Sequence, residues 1–223
     1  MILLTYDFDW RIVTDRWHAF TVGAWVDVWV TVIGFALACA IGLLVAILRV
    51  SGVRVIALPS FLYVQVLRGV PLYVMLLWVY FGLATITGIA FTAFQAMIIT
   101  LALTGSGYTA EIFRAGIQAV DRGQVEAAHS LGLSRTLTYR DVILPQTLRI
   151  VVPPLGNTFV GLLKGATIMS VIAVPDMVFL AQDINVTYFT PFEAFTAVAV
   201  ILIALVFAFS LLVYGLERWL RLP

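Results

Sequence analysis

Charges are spaced so widely along this chain that they mark out where it can cross a lipid bilayer. Gly69 to Ala110 is a run of 42 residues without a charge, roughly 63 Å as a helix at ~1.5 Å per residue, or twice a ~30 Å hydrocarbon core. That length fits two crossings, with the turn expected at the GLATITG segment, Gly82 to Gly88. Val28 to Leu48 is a 21-residue run matching one crossing, Ile150 to Pro175 is interrupted only by Lys164, and Ala194 to Leu216 is 23 residues without a charge. Composition agrees: 62% of the residues are hydrophobic and 11% charged, which leaves too little polar surface to cover a water-soluble body. The expected fold is an all-α membrane protein of five transmembrane helices at about 22–48, 61–82, 90–110, 150–175 and 194–216, in one domain spanning 1–223.

The arginines orient the bundle. With five spans and the N-terminus outside, nine of the 13 basic residues fall on the cytoplasmic side: Arg49, Arg54, Arg114, Arg122, Arg135, Arg140, Arg149, Arg218 and Arg221. The outer segments keep Arg11 and Arg16, and the C-terminus is cytoplasmic. A six-span count would use Val55 to Leu67 as a crossing, but 13 residues are short for one and the arginines of the 111–149 insert would then lie outside.

A formal charge of +1 gives no field for nucleic acid, and one cysteine with two histidines gives no disulfide framework or metal site. No phosphate-binding loop is present: the nearest approach, Gly156 to Gly161, has Leu162 and Leu163 where Lys and Ser or Thr belong. No catalytic residue or cofactor is expected. A membrane enzyme lacks gathered catalytic groups, and an ion-coupled carrier or channel would ordinarily keep acids at the centre of its spans.

The polar insert at 111–149 is the largest aqueous piece. Gln124 to Leu131 reads as a helix, Gly132 as the left-handed residue past its end, and Ser134 as the cap of a second helix ending near Leu144, before Pro145. Val125, Ala128, Leu131 and Leu133 recur at helical spacing, so the pair forms a small amphipathic knob suited to a partner's groove.

Glu126 to Gln146, EAAHSLGLSRTLTYRDVILPQ, resembles the EAA loop of ATP-binding-cassette (ABC) importer permeases through Glu126, Ala127, Ala128, Gly132, Ile143, Leu144 and Pro145. Phe61 to Val74, Ser106 to Gln124 and Leu148 to Lys164 are similar to the permeases of polar amino-acid importers. The resemblance implies a multi-pass subunit of the bacterial inner membrane. It would pair with a second permease subunit, above an ABC ATPase dimer, and receive its amino acid from a solute-binding protein. It further implies that the insert holds the coupling helix, with Glu126, Ala127, Ala128, Leu131, Gly132, Leu133 and Pro145 at the ATPase.

Lys164, Thr167 and Ser170, on one stripe of the fourth span, are the expected pathway together with Arg68, because charges within a membrane face the bundle, water or an interface. Pro153 and Pro154 are expected to open that span and Pro175 to end it. Val70, Met75, Gly165 and Ala166 stand where the resembled family often has polar groups, implying the less polar half of a heterodimer.

Overall fold

The computed structural model describes residues 7–220, so Arg221 and the first six residues lie outside the described part. Its helices are α1 (Arg11–Asp15), α2 (Trp17–Val50), α3 (Arg54–Gly69), α4 (Leu72–Thr87), α5 (Ala93–Gln118), α6 (Arg122–Ser130), α7 (Thr136–Ile172), α8 (Met177–Tyr188) and α9 (Pro191–Leu220). Among the described residues, α2, α5, α7 and α9 are each long and apolar enough to cross a membrane, and α3 with α4 makes a fifth candidate if that bent pair is one span.

The bundle is organised by α2 lying against α5. Gly34, Ala38, Gly42 and Ala46 recur every four residues on α2 and are buried, so one face of the helix is a strip of backbone. A Cβ on Gly34 would stand 2.6 Å from Leu101 Cβ, and one on Gly42 would stand 2.0 Å from Thr109 Oγ1 and 2.8 Å from Ala110 N. At this crossing the Thr109 hydroxyl donates to the carbonyl of Ala38 at 2.7 Å. Gly116 admits Val151 of α7 in the same manner, its Cβ position lying 2.3 Å from Val151 Cγ1. The outer faces remain apolar: Leu44, Ile47, Ile203, Phe207 and Leu212 are all exposed, as lipid or a second subunit requires.

Three expectations about the spans need correction. The second crossing is not one straight helix over 61–82, because α3 and α4 meet at 104°. Pro71 has no N–H and drives Val70 into extended backbone, at φ −88° and ψ 125°, which breaks the helix there. The turn placed at Gly82 to Gly88 starts only at its last residue. Gly82 sits in a wide π turn of α4, Gly88 ends the helix at φ +72°, and a Thr92–Gln95 capping box opens α5. The insert's second helix does not stop at Leu144 but continues into the fourth span as α7. A π turn at Tyr139–Ile143 directs Leu144 N–H to the Tyr139 carbonyl, five residues back, and so absorbs the disturbance of Pro145. Pro153 and Pro154 accordingly lie inside α7 rather than opening it. Pro175 follows the helix end at Ile172.

Replacing Gly42 with Leu should cost about 1–3 kcal/mol by overpacking, whereas Gly161→Ala, whose new Cβ meets nothing within 4 Å, should be tolerated. Thermal melting of the purified subunit in detergent checks this, with Gly42→Leu alone melting earlier.

Candidate functional site: an exposed knob and a mid-depth cleft

The knob is built from a helix closed tightly at both ends. Asp121 accepts the Gly123 N–H at 2.6 Å and starts α6. At the other end Gly132, at φ +79°, donates its N–H to His129 O at 2.9 Å, while Leu133 N–H reaches Ala128 O at 3.1 Å. This pair of backward bonds around a left-handed glycine is the Schellman ending, and it turns the chain within two residues. Ser134 then caps the start of α7 through Leu137 N–H at 3.4 Å.

The turn leaves Leu131 81% exposed at the tip, with Glu126 and Ala127 exposed beside it. Ala128 is not available to a partner: it faces inward and is buried, and Leu133 is half-buried. Pro145 is exposed but lies on α7, past the knob. Behind the knob, Ile117, Val125, Thr138, Tyr139 and Ile143 line an open cavity of about 700 Å³. On the knob's surface Arg140 and Asp141 pair at 2.7 Å, and the guanidinium holds the Asp141 carboxyl below its ordinary range.

An ion cluster fixes the end of the bundle from which the insert departs. Glu111 on α5 accepts from Arg49 of α2 and from Arg114 Nε at 3.0 Å, and Arg114 also reaches Gln118. The Arg49 guanidinium lies 5.5 Å from the Phe61 ring centre, which adds α3 to the cluster. A charged network shared by three elements holds them as one body more firmly than an isolated surface pair would.

The second site lies halfway along the bundle, where the α3–α4 break meets α5. Leu72, Thr104, Tyr108, Asn157, Thr158, Gly161 and Leu162 line an open cleft of about 420 Å³. Arg68, next to the break, holds its guanidinium 5.2 Å from the Tyr108 ring centre. Thr104 is buried and its hydroxyl lacks a hydrogen-bond partner, whereas Thr158 donates to its own helix at Pro154 O, 2.9 Å away. The cleft therefore offers an aromatic ring, an amide and one uncommitted hydroxyl, with a cation placed against the aromatic ring. A broken helix at mid-depth is where membrane transporters gather ligand groups.

The expected pathway stripe does not hold together. Lys164 is exposed, Thr167 is half-buried and donates to Lys164 O at 2.9 Å, and Ser170 is buried. Its residues diverge because Thr167–Ile172 is a 3-10 helix and winds more tightly than the α-helix before it. Lys164 nevertheless shares a face with Asn157 and Gly161, at helical spacing along α7. Met75 and Ala166 belong to the core, and a side chain on Gly165 would strike Leu72 at 2.5 Å. Their apolar character thus takes nothing from the cleft. Sequence reasoning missed Thr104, Tyr108 and Asn157; the available signal was polar side chains at helical spacing, Thr104 with Tyr108 and Asn157 with Lys164.

A helical bundle with apolar outer faces, a polar knob at one end and a mid-depth cleft beside a broken helix has the architecture of a membrane transport subunit. The chain belongs to the family described as binding-protein-dependent transport system inner membrane component, which it matches over residues 38–222. It is 36% identical over 180 residues to the probable amino-acid ABC transporter permease protein YckA of Bacillus subtilis, covering 81% of this chain and 79% of that one. It is 32% identical over 216 residues to the glutamine transport system permease protein GlnP of Escherichia coli, covering 96% and 99%. A solved structure of an amino acid ABC transporter with histidines superposes with a TM-score of 0.88 at 36% identity, over 96% of this chain and 99% of that one. The MetNI methionine ABC transporter shares the fold at a TM-score of 0.81 and 18% identity, over 93% and 99%. The chain is accordingly an inner-membrane transport subunit and not an enzyme.

Gly132→Ala should weaken the α6 ending by about 1 kcal/mol, since a Cβ at φ +79° is strained even in open space. Faster hydrogen exchange confined to the amides of 131–133 is the expected result.

Proposed function

We propose that this chain is the permease subunit of an ABC importer for an amino acid, driven by a separate ATPase. The knob carries the reading: an apolar tip at Leu131, with Glu126 and Ala127 beside it, stands on a helix closed rigidly at both ends. Such a tip fits a cleft in a partner, and its rigid mounting lets a push on it pass into α7, which continues from the knob without a break. Glu111 and its arginines join α2, α3 and α5 into the body against which α7 moves.

In this reading the insert faces the cytoplasm, the N-terminus lies outside, and the α8 end receives a solute-binding protein. Two permease subunits, alike or different, stand side by side. The mid-depth cleft receives the amino acid, with the Arg68 cation facing its carboxylate, while Asn157 and Thr104 supply neutral hydrogen bonds. These groups belong to this chain, so the subunit contributes substrate contacts whether its partner is identical or not. Lys164 lies further along the same face of α7 and extends the polar path.

The test is uptake by proteoliposomes holding the permease dimer, its ATPase and its binding protein. Glu126→Lys and Leu131→Asp should each lower ATP-driven uptake at least about tenfold, the scale of losing one well-placed interface residue, while the subunit inserts normally. Full uptake in both variants would remove the knob from coupling. Arg68→Ala should raise the substrate concentration needed without changing ATPase docking.

A further inference from the structure

At the end of the bundle opposite the insert, α2 and the start of α8 approach backbone to backbone. A Cβ on Gly23 would stand 2.6 Å from Met177 N and 2.7 Å from the Asp176 carbonyl carbon. One turn along the same face of α2 is Asp27, fully buried, with neither carboxyl oxygen hydrogen-bonded. Asp176, 1% exposed, caps α8 by accepting the Phe179 N–H at 2.7 Å through Oδ1 and leaves Oδ2 without a partner. Both acids are thus buried at the junction where α2 meets the start of α8.

Three orphan oxygens on two buried acids are not a stable arrangement if both acids are ionised. Neighbouring charges do not relieve it. Arg16 is engaged with Asp183 at 3.0 Å and with the Tyr188 hydroxyl at 3.1 Å, and Glu193 of α9 accepts the Asp9 N–H at 2.8 Å. His18 of α2 and Asp183 of α8 line the outer cleft rather than bonding either carboxyl. A metal cation is the wrong ligand, because the N–H groups at the start of α8 point their positive end at the site. A proton fits: it removes one of the two buried charges and leaves a single negative charge facing the helix terminus.

We propose that Asp27 and Asp176 share one proton, and that this proton clamps the start of α8 to α2. Asp176 also lines an open cleft of about 410 Å³ with His18, Val22, Pro175, Phe179 and Asp183, which gives the proton a route to solvent. Loss of the proton leaves two like charges in one buried site, and α8 separates from α2 at Gly23. The clamp is thus a pH-sensitive joint at the mouth of the bundle, and it does not depend on which solute crosses.

Asp176 lies beyond the end of α7, and burial raises its carboxyl from the ordinary range to about 7. An acid with a raised value contributes its stability fully at low pH and loses it as pH climbs through that value. The experiment uses the permease, complexed with its ATPase, in lipid nanodiscs. Infrared difference spectra between about pH 5 and about pH 9 should show one protonated carboxyl lost per subunit. Over the same range hydrogen exchange at 177–180, corrected for its intrinsic pH dependence, should rise about tenfold.

Asp27→Asn, a permanent stand-in for the protonated acid, should keep α8 protected at both extremes, and Asp27→Asn combined with Asp176→Asn should abolish the carboxyl signal. Should that variant fail to assemble, Asp176→Asn gives the same reading, because Asn also caps a helix. His18→Gln and Asp183→Asn should leave the signal unchanged. A wild-type protein without a protonated carboxyl at the acidic end, a pH-dependent opening of α8 that survives Asp27→Asn, or a carboxylate signal that answers to sodium or calcium instead of pH would each overturn the proposal.

Discussion

The close approach of α2 to α5 is the constraint from which the other positions follow. Gly34, Ala38 and Gly42 let two backbones meet, and the Thr109 hydroxyl seals the contact on the Ala38 carbonyl. In lipid, where apolar burial does not drive helices together, packing of this kind and internal hydrogen bonds must do so. Once α5 is held there, its free face sets the place of α3 through Tyr63 and Ser106, whose hydroxyls bond at 2.8 Å. Its small residues admit α7 at Gly105, against Leu162, and at Gly116, against Val151. The mid-depth cleft is the space left between α5, α7 and Leu72 at the start of α4.

The ends of the bundle differ in how they are held. At the insert end, charges of opposite sign meet: Glu111 and Arg114 of α5 with Arg49 of α2, whose guanidinium also lies against Phe61 of α3. At the other end acids predominate in the buried region, with Asp27, Asp176 and Glu193 all at 1% exposure or less. One end is thus held by attraction between side chains. The other adds backbone proximity at Gly23 to the exposed pair of Arg16 with Asp183.

How far this could be read from the sequence depended on whether the cause was local. Gly132 and Ser134 signalled the knob because a left-handed residue and a helix cap are properties of a few adjacent residues. Long charge-free runs revealed α2, α5 and α9 for the same reason, since length against bilayer thickness needs no tertiary information. The bend at Pro71 was hidden by hydropathy, to which a broken span and a whole one look alike. Pro153 and Pro154 misled because a proline in a packed membrane helix need not end it. Thr104, Tyr108 and Asn157 come from two helices and converge only after those helices pack. The apolar Met75 and Ala166 were misread for the complementary reason: nothing local tells a core position from one that faces a cleft.

The break between α3 and α4 has a mechanical consequence. The Val70 N–H still bonds back to Val66 O at 3.2 Å, Pro71 has no N–H, and the first bond of α4 runs from Met75 N–H to Pro71 O at 3.0 Å. Every backbone bond therefore lies on one side or the other of the torsion that joins Val70 to Pro71. Turning that torsion within the extended range open to a residue before proline breaks none of them. The backbone at this joint is free of hydrogen bonds across it, so α3 and α4 are held to one another by side-chain packing, with Arg68 and Leu72, one on each arm, beside the cleft.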